Sequence, residues 1–587
     1  MQRATEVPHR PMRVSPVIRA AAAALLAACA SAAPASPPST SAVARTGGAS
    51  VPRNMELTRD QALQQVLNRL TFGPRPGDAA YVASVGLDRW IDRQLDPASI
   101  PDTLAERVLG TLETQRKRAW ELIADHPDPQ EVQARLNQLS AARGDPTVTY
   151  SSGDSALLRR AQQTAGQLTN EILAAPLIRA VASERQVQEV MTSFWENHFS
   201  VYLQKSPNRY SMVEYDRDVI RPHALGKFRD LLGAVAKSPQ MLFYLDNYRS
   251  TVDSLHPNID EQRIEARRAR LANDPLATML ATLPRRRGQG VNENYARELM
   301  ELHTLGADGG YSQKDVQEVA RALTGWTIAS PNLGGGFLFR PELHDAGAKV
   351  VLGHELAAGR GLQDGEDVLD ILARAPATGR FITVKLARHF VSDDPPADLV
   401  DRCAGTFTAT DGDIGQTLRC IVTSPEFFSR AAFHAKVKTP FELVASSMRM
   451  FGAPPDTTAQ AARVVAQLGQ PIYGRLTPDG WPDRGDAWMN TGAILNRINF
   501  GLRLAAGQFP GVRLATWPPM LRLRQLPPGA QVDGVVDAVF GGSVSAETRA
   551  ILSSGENPML AETKRVAPGG LAGTIGLALG APEFQRK

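Results

Sequence analysis

Between Asn292 and Ile328 the chain reads NENYARELMELHTLGADGGYSQKDVQEVARALTGWTI. Apolar residues recur there at intervals of three and four, the spacing that puts them on one face of a helix. Leu299, Leu302 and Leu305 predict a helix from about Asn294 to Leu305. Gly306 is placed to end it, and Asp308-Gly309-Gly310 supplies a turn. Ser312 is suited to cap a second helix, with Asp315 three residues later where a capping box usually has Glu or Gln. Val316, Val319, Ala320 and Leu323 give that helix a buried face, and Gly325 stops it. The same period recurs along most of the chain, while strict alternation is almost absent. The predicted fold class is mainly all-α, a large multi-helix globular body with at most short β segments.

Taken in order, Thr58 and Gln61 predict a capped helix carrying Leu63, Val66, Leu67 and Leu70. Residues 101–140 read as a long exposed hairpin interrupted at His126-Pro127, followed by helices over 157–182 and 184–201 with a kink at Pro176. Residues 250–289 break the pattern and read as a surface insertion based beside the Asn292 stretch. Phe337-Leu338-Phe339-Arg340 suits a short strand. The Pro- and Arg-rich stretch 508–530 reads as a wrap over the surface.

The N-terminus reads as an address. Arg10, Arg13 and Arg19 precede a short alanine-rich apolar run, too short to span a bilayer, which ends Leu26-Ala27-Ala28-Cys29. Residues 1–28 are therefore expected to be a signal peptide of lipoprotein type, with lipidation on Cys29; a plain secretory signal cut near Ala33 or Ala35 is the alternative. Residues 29–54, rich in Ala, Ser and Pro, form a flexible tether, and 55–587 a single large helical domain, in one lobe or two. The expected location is the outer membrane facing the periplasm, held by lipid alone, or else the soluble periplasm or the medium. The first 28 residues carry a net +3 of the chain's +4, so the remainder is near neutral and gives no case for nucleic-acid binding. Cys403 and Cys420 are then either a disulfide, which an oxidising compartment permits, or two buried thiols.

Polar side chains gather in three apolar settings. Phe194-Trp195-Glu196-Asn197-His198-Phe199 holds His198 among aromatic residues. The Asn292–Glu301 segment offers Asn292, Asn294, Arg297, Glu298 and Glu301, and a third stretch offers Arg340, His344, Asp345 and Lys349. If these meet, His198, Glu298, His344 and Asp345 are ligand types for a divalent metal. The same set with Glu301 would serve acid–base catalysis, with Arg297, Arg340 or Lys349 holding an anion. Otherwise they are buried networks that fix helix ends. His303 is expected to pack and to satisfy carbonyls at a helix end. Lys436 and Lys438 either bind an anion or lie on the surface. Trp481 and Trp488, beside turn residues, would stack on a sugar ring if exposed or lock the loop if buried. No HExxH, GxSxG, Walker loop, dinucleotide fingerprint or CxxCH is present.

Several stretches together carry a resemblance: LNRLTFGPRPGD from Leu67, FWENHF from Phe194, LGKFRDLLGAVAKSPQMLFYLDN from Leu225, NENYARELMELHTLG from Asn292, YSQKDVQEVARALTGW from Tyr311, HDAGAKVVLG from His344, KLARHFVSD from Lys385 and the Gly480-Trp481-Pro482 region. The chain resembles the exported bacterial family catalogued as domain of unknown function 1800, over nearly everything from Leu57 onward. The resemblance implies export. It also implies work at the envelope, because such proteins are often encoded beside an exported family resembling sulfatase-like enzymes. His303 stands where the family pattern has Phe, which supports a packing position. Two functions are carried forward: a cell-envelope lipoprotein that binds a glycan or another exported protein, and an envelope hydrolase using the His/Glu/Asp set, with or without a divalent metal.

Overall fold

The computed structural model describes residues 50–142, 151–205, 207–253, 290–330, 334–509, 511–542, 544–555 and 570–587. The signal-peptide reading with Cys29, the tether up to residue 49, and positions 254–289 of the insertion lie outside the described residues. The chain is mainly all-α, with two small antiparallel strand pairs, Trp326–Ile328 with Phe337–Phe339 and Lys349–Val351 with His354–Leu356.

Local signals set the helix ends. Thr58 Oγ1 accepts from Gln61 N–H while the Gln61 side chain accepts from Thr58 N–H. Ser312 and Asp315 make the same reciprocal pair, so Asp at this position closes the box as Glu would. Thr439 and Glu442 make a third, with Pro440 at the first helical position. Each such cap stabilises by about 1 kcal/mol. The Asn292 stretch folds as a helix Glu293–Met300, then a wider π turn Glu301–Leu305 ended by Gly306 at φ +81°. The next helix, Gln313–Ala322, buries Val316, Val319 and Ala320 completely.

Burial then assembles the body, one compact unit over Ala49–Lys587. Trp195, Phe199 and Phe228 stack at the centre with ring centroids 5.8–6.5 Å apart, and Phe407 closes on Phe228 at 5.8 Å. Trp326 packs so closely on the helix Leu362–Arg374 that a Cβ on Gly365 would lie 2.2 Å from the indole, so that contact requires glycine. A disulfide joins Cys403 and Cys420, tying the helices Ala397–Ala409 and Ile414–Val422. Among the described residues no helix is long and apolar enough to cross a membrane.

Two regional expectations need correction. Residues 101–140 are not an exposed hairpin. They form a series of helices, three of which pack on the long helix Ser152–Ala182, and Leu109, Leu112, Leu122 and Leu136 are buried. The 508–530 stretch is not a simple wrap either. Pro518 and Pro528 each begin a helix, a position where the missing N–H costs nothing, and Trp517, Met520 and Leu523 anchor the segment in the core.

The base of the insertion is knit together beside the Asn292 helix. Thr251 N–H donates to Gly290 O at 3.0 Å, and Asn292 N–H donates to Ser250 Oγ at 3.0 Å.

Candidate functional site

His198 ends the helix Gln186–His198 and is sealed in the core. Its ring lies among those of Phe194, Trp195, Phe199 and Phe381, and its Nε2 donates to the His303 carbonyl at 3.1 Å. Burial, and then the nearby charges of Lys385 and His303, push its pKa well below the usual histidine value, so the ring is neutral. His303 is buried as well, its pKa pushed down to about 3 by burial and by Lys385. Its ring packs on Phe199, as a packing position requires, while its Nε2 has no partner.

Glu298 and Glu301 are half-buried on another face. Burial first, then Glu301 and Asp479, raise the Glu298 pKa against the pull of Arg297. Tyr311 donates weakly to Glu301 at 3.4 Å. Asn292 caps the helix, accepting from Tyr295 N–H at 3.1 Å and donating to Leu245 O at 2.8 Å. Arg297 bonds Gln313, and Asn294 is exposed.

His344, Asp345 and Lys349 form a third, separate group that is closed to solvent. Lys349 Nζ donates to Asp364 Oδ2 at 2.7 Å, Asp345 O at 2.6 Å and Gly347 O at 2.9 Å. His344 donates from Nδ1 to Thr324 O at 2.8 Å and places Nε2 3.2 Å from the same Asp364 oxygen. Arg321 holds both oxygens of Asp345. Burial raises the Asp364 pKa, but His344 and Lys349 outweigh it and hold it below the usual carboxylate range. Arg340 is half-exposed, at the end of its strand.

The His198/Glu298/His344/Asp345 set is therefore not brought together. Among the described residues no group of three or more His, Cys, Asp or Glu is placed to hold a metal ion. Catalysis by the five-residue set with Glu301 is dispersed for the same reason. Lys436 and Lys438 are not surface residues. Lys436 Nζ bonds Asp393 at 2.5 Å and Asp483 at 3.0 Å, and Lys438 Nζ lies 4.1 Å from the Phe584 ring centroid.

The two tryptophans divide between the sequence readings. Trp488 is buried, donates from Nε1 to Pro482 O at 3.0 Å and locks the loop. Trp481 is half-buried and its backbone is clamped. Asn197 Oδ1 accepts from Trp481 N–H at 2.7 Å, and Asn197 Nδ2 donates to Trp481 O at 2.8 Å. Arg475, itself held by Asp479, lies over the indole at 5.5 Å. Trp481 borders a cavity of about 50 Å³ walled in part by Phe72, Phe194 and Phe441.

His389 and Asp483 border the same cavity, and sequence reasoning did not single them out. His389 is on the last turn of the helix Pro376–Phe390, where a histidine is common for the helix dipole alone. Its Nδ1 lies 2.9 Å from Asp483 Oδ2, and its Nε2 has no partner. Lys436 holds Asp483 Oδ1 and the Asp483 carbonyl, both at 3.0 Å. Burial pushes the Asp483 carboxyl up, but His389, Lys436 and Lys587 hold it well below the usual range. One turn earlier on that helix, burial lowers the Lys385 pKa to about 8. The only sequence signals for the pair were the KLARHFVSD and Gly-Trp-Pro stretches that carry the resemblance, which the fold brings to one place.

A family model described as "Protein of unknown function (DUF1800)" matches residues 65–586. Neither the curated proteins nor the solved structures gave a match.

Proposed function

Since the chain belongs to the DUF1800 family, a membership that names no reaction, we propose its function from its own side chains: it is an exported envelope protein that binds a glycan at the Trp481 cavity. The observation that carries this is the Asn197 clamp on Trp481, 284 residues apart in sequence. It fixes the Trp481 backbone, and with Arg475 over the indole the ring is held beside an aromatic-lined cavity with polar groups. A fixed ring loses little entropy when a sugar stacks on it, and the neighbouring carboxylate and imidazole suit hydroxyl groups. Export is supported by the Cys403–Cys420 disulfide, which persists in an oxidising compartment. Lipidation at Cys29 would hold the protein at the membrane surface.

The test is titration of the protein with glycan chains from peptidoglycan and with lipopolysaccharide core oligosaccharide, followed by tryptophan fluorescence and calorimetry. Saturable binding lost in Trp481→Ala supports the reading. No binding to either, or binding that Trp481→Ala leaves intact, overturns it and turns attention to a protein partner. Cys29→Ser tests the anchor: the protein should leave the membrane fraction.

A further inference from the structure

The Trp481 cavity has more chemistry than binding requires. His389 and Asp483 are 94 residues apart, yet they meet in the geometry of a general base and its orienting carboxylate. Asp483 accepts from Nδ1–H at 2.9 Å, which fixes the tautomer that leaves a lone pair on Nε2. Lys436 holds the carboxylate in place from its other oxygen. Nε2 itself is buried and bonds nothing, and His389 is one of the residues that line the cavity. Leaving a buried polar atom unpartnered is unfavourable, so a group that completes it is expected.

The size and walls of the cavity define what fits. A water occupies roughly 10–15 Å³ of such space, so about four heavy atoms can enter. That admits a small acyl group and leaves the sugar ring outside, against the half-buried Trp481. Phe72, Phe194 and Phe441 match an acyl methyl, and Ser193 also borders the space.

We propose that this site hydrolyses a small acyl ester, an O-acetyl group on the glycan, with His389 as general base and Asp483 as its positioning residue. The proposal rests on the glycan-binding reading for its substrate. Water attacks the acyl carbon while its proton passes to His389 Nε2. The carbonyl electron pair moves onto oxygen, giving a tetrahedral intermediate. Its collapse breaks the bond to the sugar oxygen, which takes the proton back from Nε2. The products are the carboxylic acid and the free hydroxyl, and the imidazole returns to its starting form.

The experiment measures acetate release from O-acetylated peptidoglycan and hydrolysis of 4-nitrophenyl acetate by the full-length protein, with glycan binding followed in parallel. Wild type is expected to act on both. His389→Gln should lower kcat about 100-fold or more with KM changed less than about threefold, because one positioned proton-transfer group contributes 10²–10⁴. Asp483→Asn should lower kcat and displace the acid limb of the pH–rate profile, which a purely structural role would not do. His389→Asn gives a second base deletion should the glutamine variant unfold, and melting curves report the fold of each. Hydrolysis of 4-nitrophenyl acetate by wild type without any glycan binding would overturn the glycan as substrate and leave the esterase chemistry, which separates this proposal from the binding one. Glycan binding without hydrolysis of either ester by wild type would overturn the hydrolytic proposal and leave the binding reading standing. An acyl group trapped on Ser193 of the wild type, together with loss of hydrolysis in Ser193→Ala, would also overturn it by replacing water as nucleophile.

Discussion

Asn197 grips the backbone of Trp481 from both sides, accepting at 2.7 Å and donating at 2.8 Å. The neighbouring Gly480 makes the approach possible. Its φ is +72°, and a Cβ there would lie 2.2 Å from Asn197 O. Asn197→Ala leaves the Trp481 N–H and C=O unpaired in a half-buried position and should cost about 1–3 kcal/mol. Gly480→Ala forces the loop off the helix. Both variants should lower the urea midpoint and shift tryptophan emission to the red, Gly480→Ala more strongly, since it adds a clash where Asn197→Ala only removes bonds.

Asp364 receives both Lys349 and His344 in a solvent-free site. Asp364→Ala strands the Lys349 ammonium beside two carbonyl oxygens and should destabilise by about 3–5 kcal/mol. The pH dependence has a definite sign. The folded pKa of Asp364 lies below its unfolded value of about 3.9. Its contribution is therefore complete above about pH 4 and is lost as pH falls through the folded value. Asp364→Asn should flatten that limb of the urea-midpoint curve while lowering the midpoint at neutral pH.

His303 acts in a different window. Burial holds its pKa near 3 against an unfolded value of about 6.5. Below about pH 6.5 the unfolded chain takes up a proton that the folded chain refuses, so stability falls as pH falls from there towards 3. At pH 5 the loss is about 2 kcal/mol. His303→Phe keeps an aromatic ring against Phe199 and removes the orphaned Nε2. It should be more stable than wild type at pH 5, and the difference should shrink by pH 7.5. A variant that tracks wild type across this range would show that the ring is not held neutral.

Helix ends and buried faces were legible because they are local. Thr58 with Gln61, Ser312 with Asp315 and Thr439 with Glu442 each close within four residues, and Val316, Val319 and Ala320 face the core by period alone. Polar placement was not legible, because it depends on partners far away in sequence. His198 looked available beside Glu298 and His344, but its ring is enclosed by Phe381, nearly two hundred residues later. Lys436 read as either an anion-binding or a surface lysine, because nothing nearby in sequence announces Asp393 and Asp483. His389 had the ordinary appearance of a histidine at a helix end, and only its distance to Asp483 marks it out.

The disulfide offers a test of the body's internal ties. Cys403 and Cys420 are 17 residues apart and close a short loop across two packed helices. Closing a loop of this length restricts the unfolded chain by about 3 kcal/mol. Reduction, or the double change to Ala, should lower the unfolding free energy by that order and leave glycan titration unchanged, because neither cysteine borders the Trp481 cavity. A reduced protein with an unaltered melting curve would show that the packed helices carry that region without the bond.

Glu298 and His198 give opposite expectations, and the contrast separates strain from support. Burial with Glu301 and Asp479 nearby raises the folded pKa of Glu298 above its unfolded value. Its ionised form is thus disfavoured in the native state at neutral pH, and the strain is relieved as pH falls through the folded pKa and the carboxyl protonates. Glu298→Gln should therefore raise the urea midpoint at pH 7 and match wild type near pH 4. His198 fills the space between Phe199 and Phe381 and bonds the His303 carbonyl, so His198→Ala opens a cavity in the core and leaves that carbonyl without its donor. A loss of about 2–4 kcal/mol is expected at pH 7, large against most point changes. Were the two residues joint ligands of one metal, both variants would destabilise and both would lose bound ion. Elemental analysis beside the denaturation curves distinguishes that outcome from the opposite signs expected here.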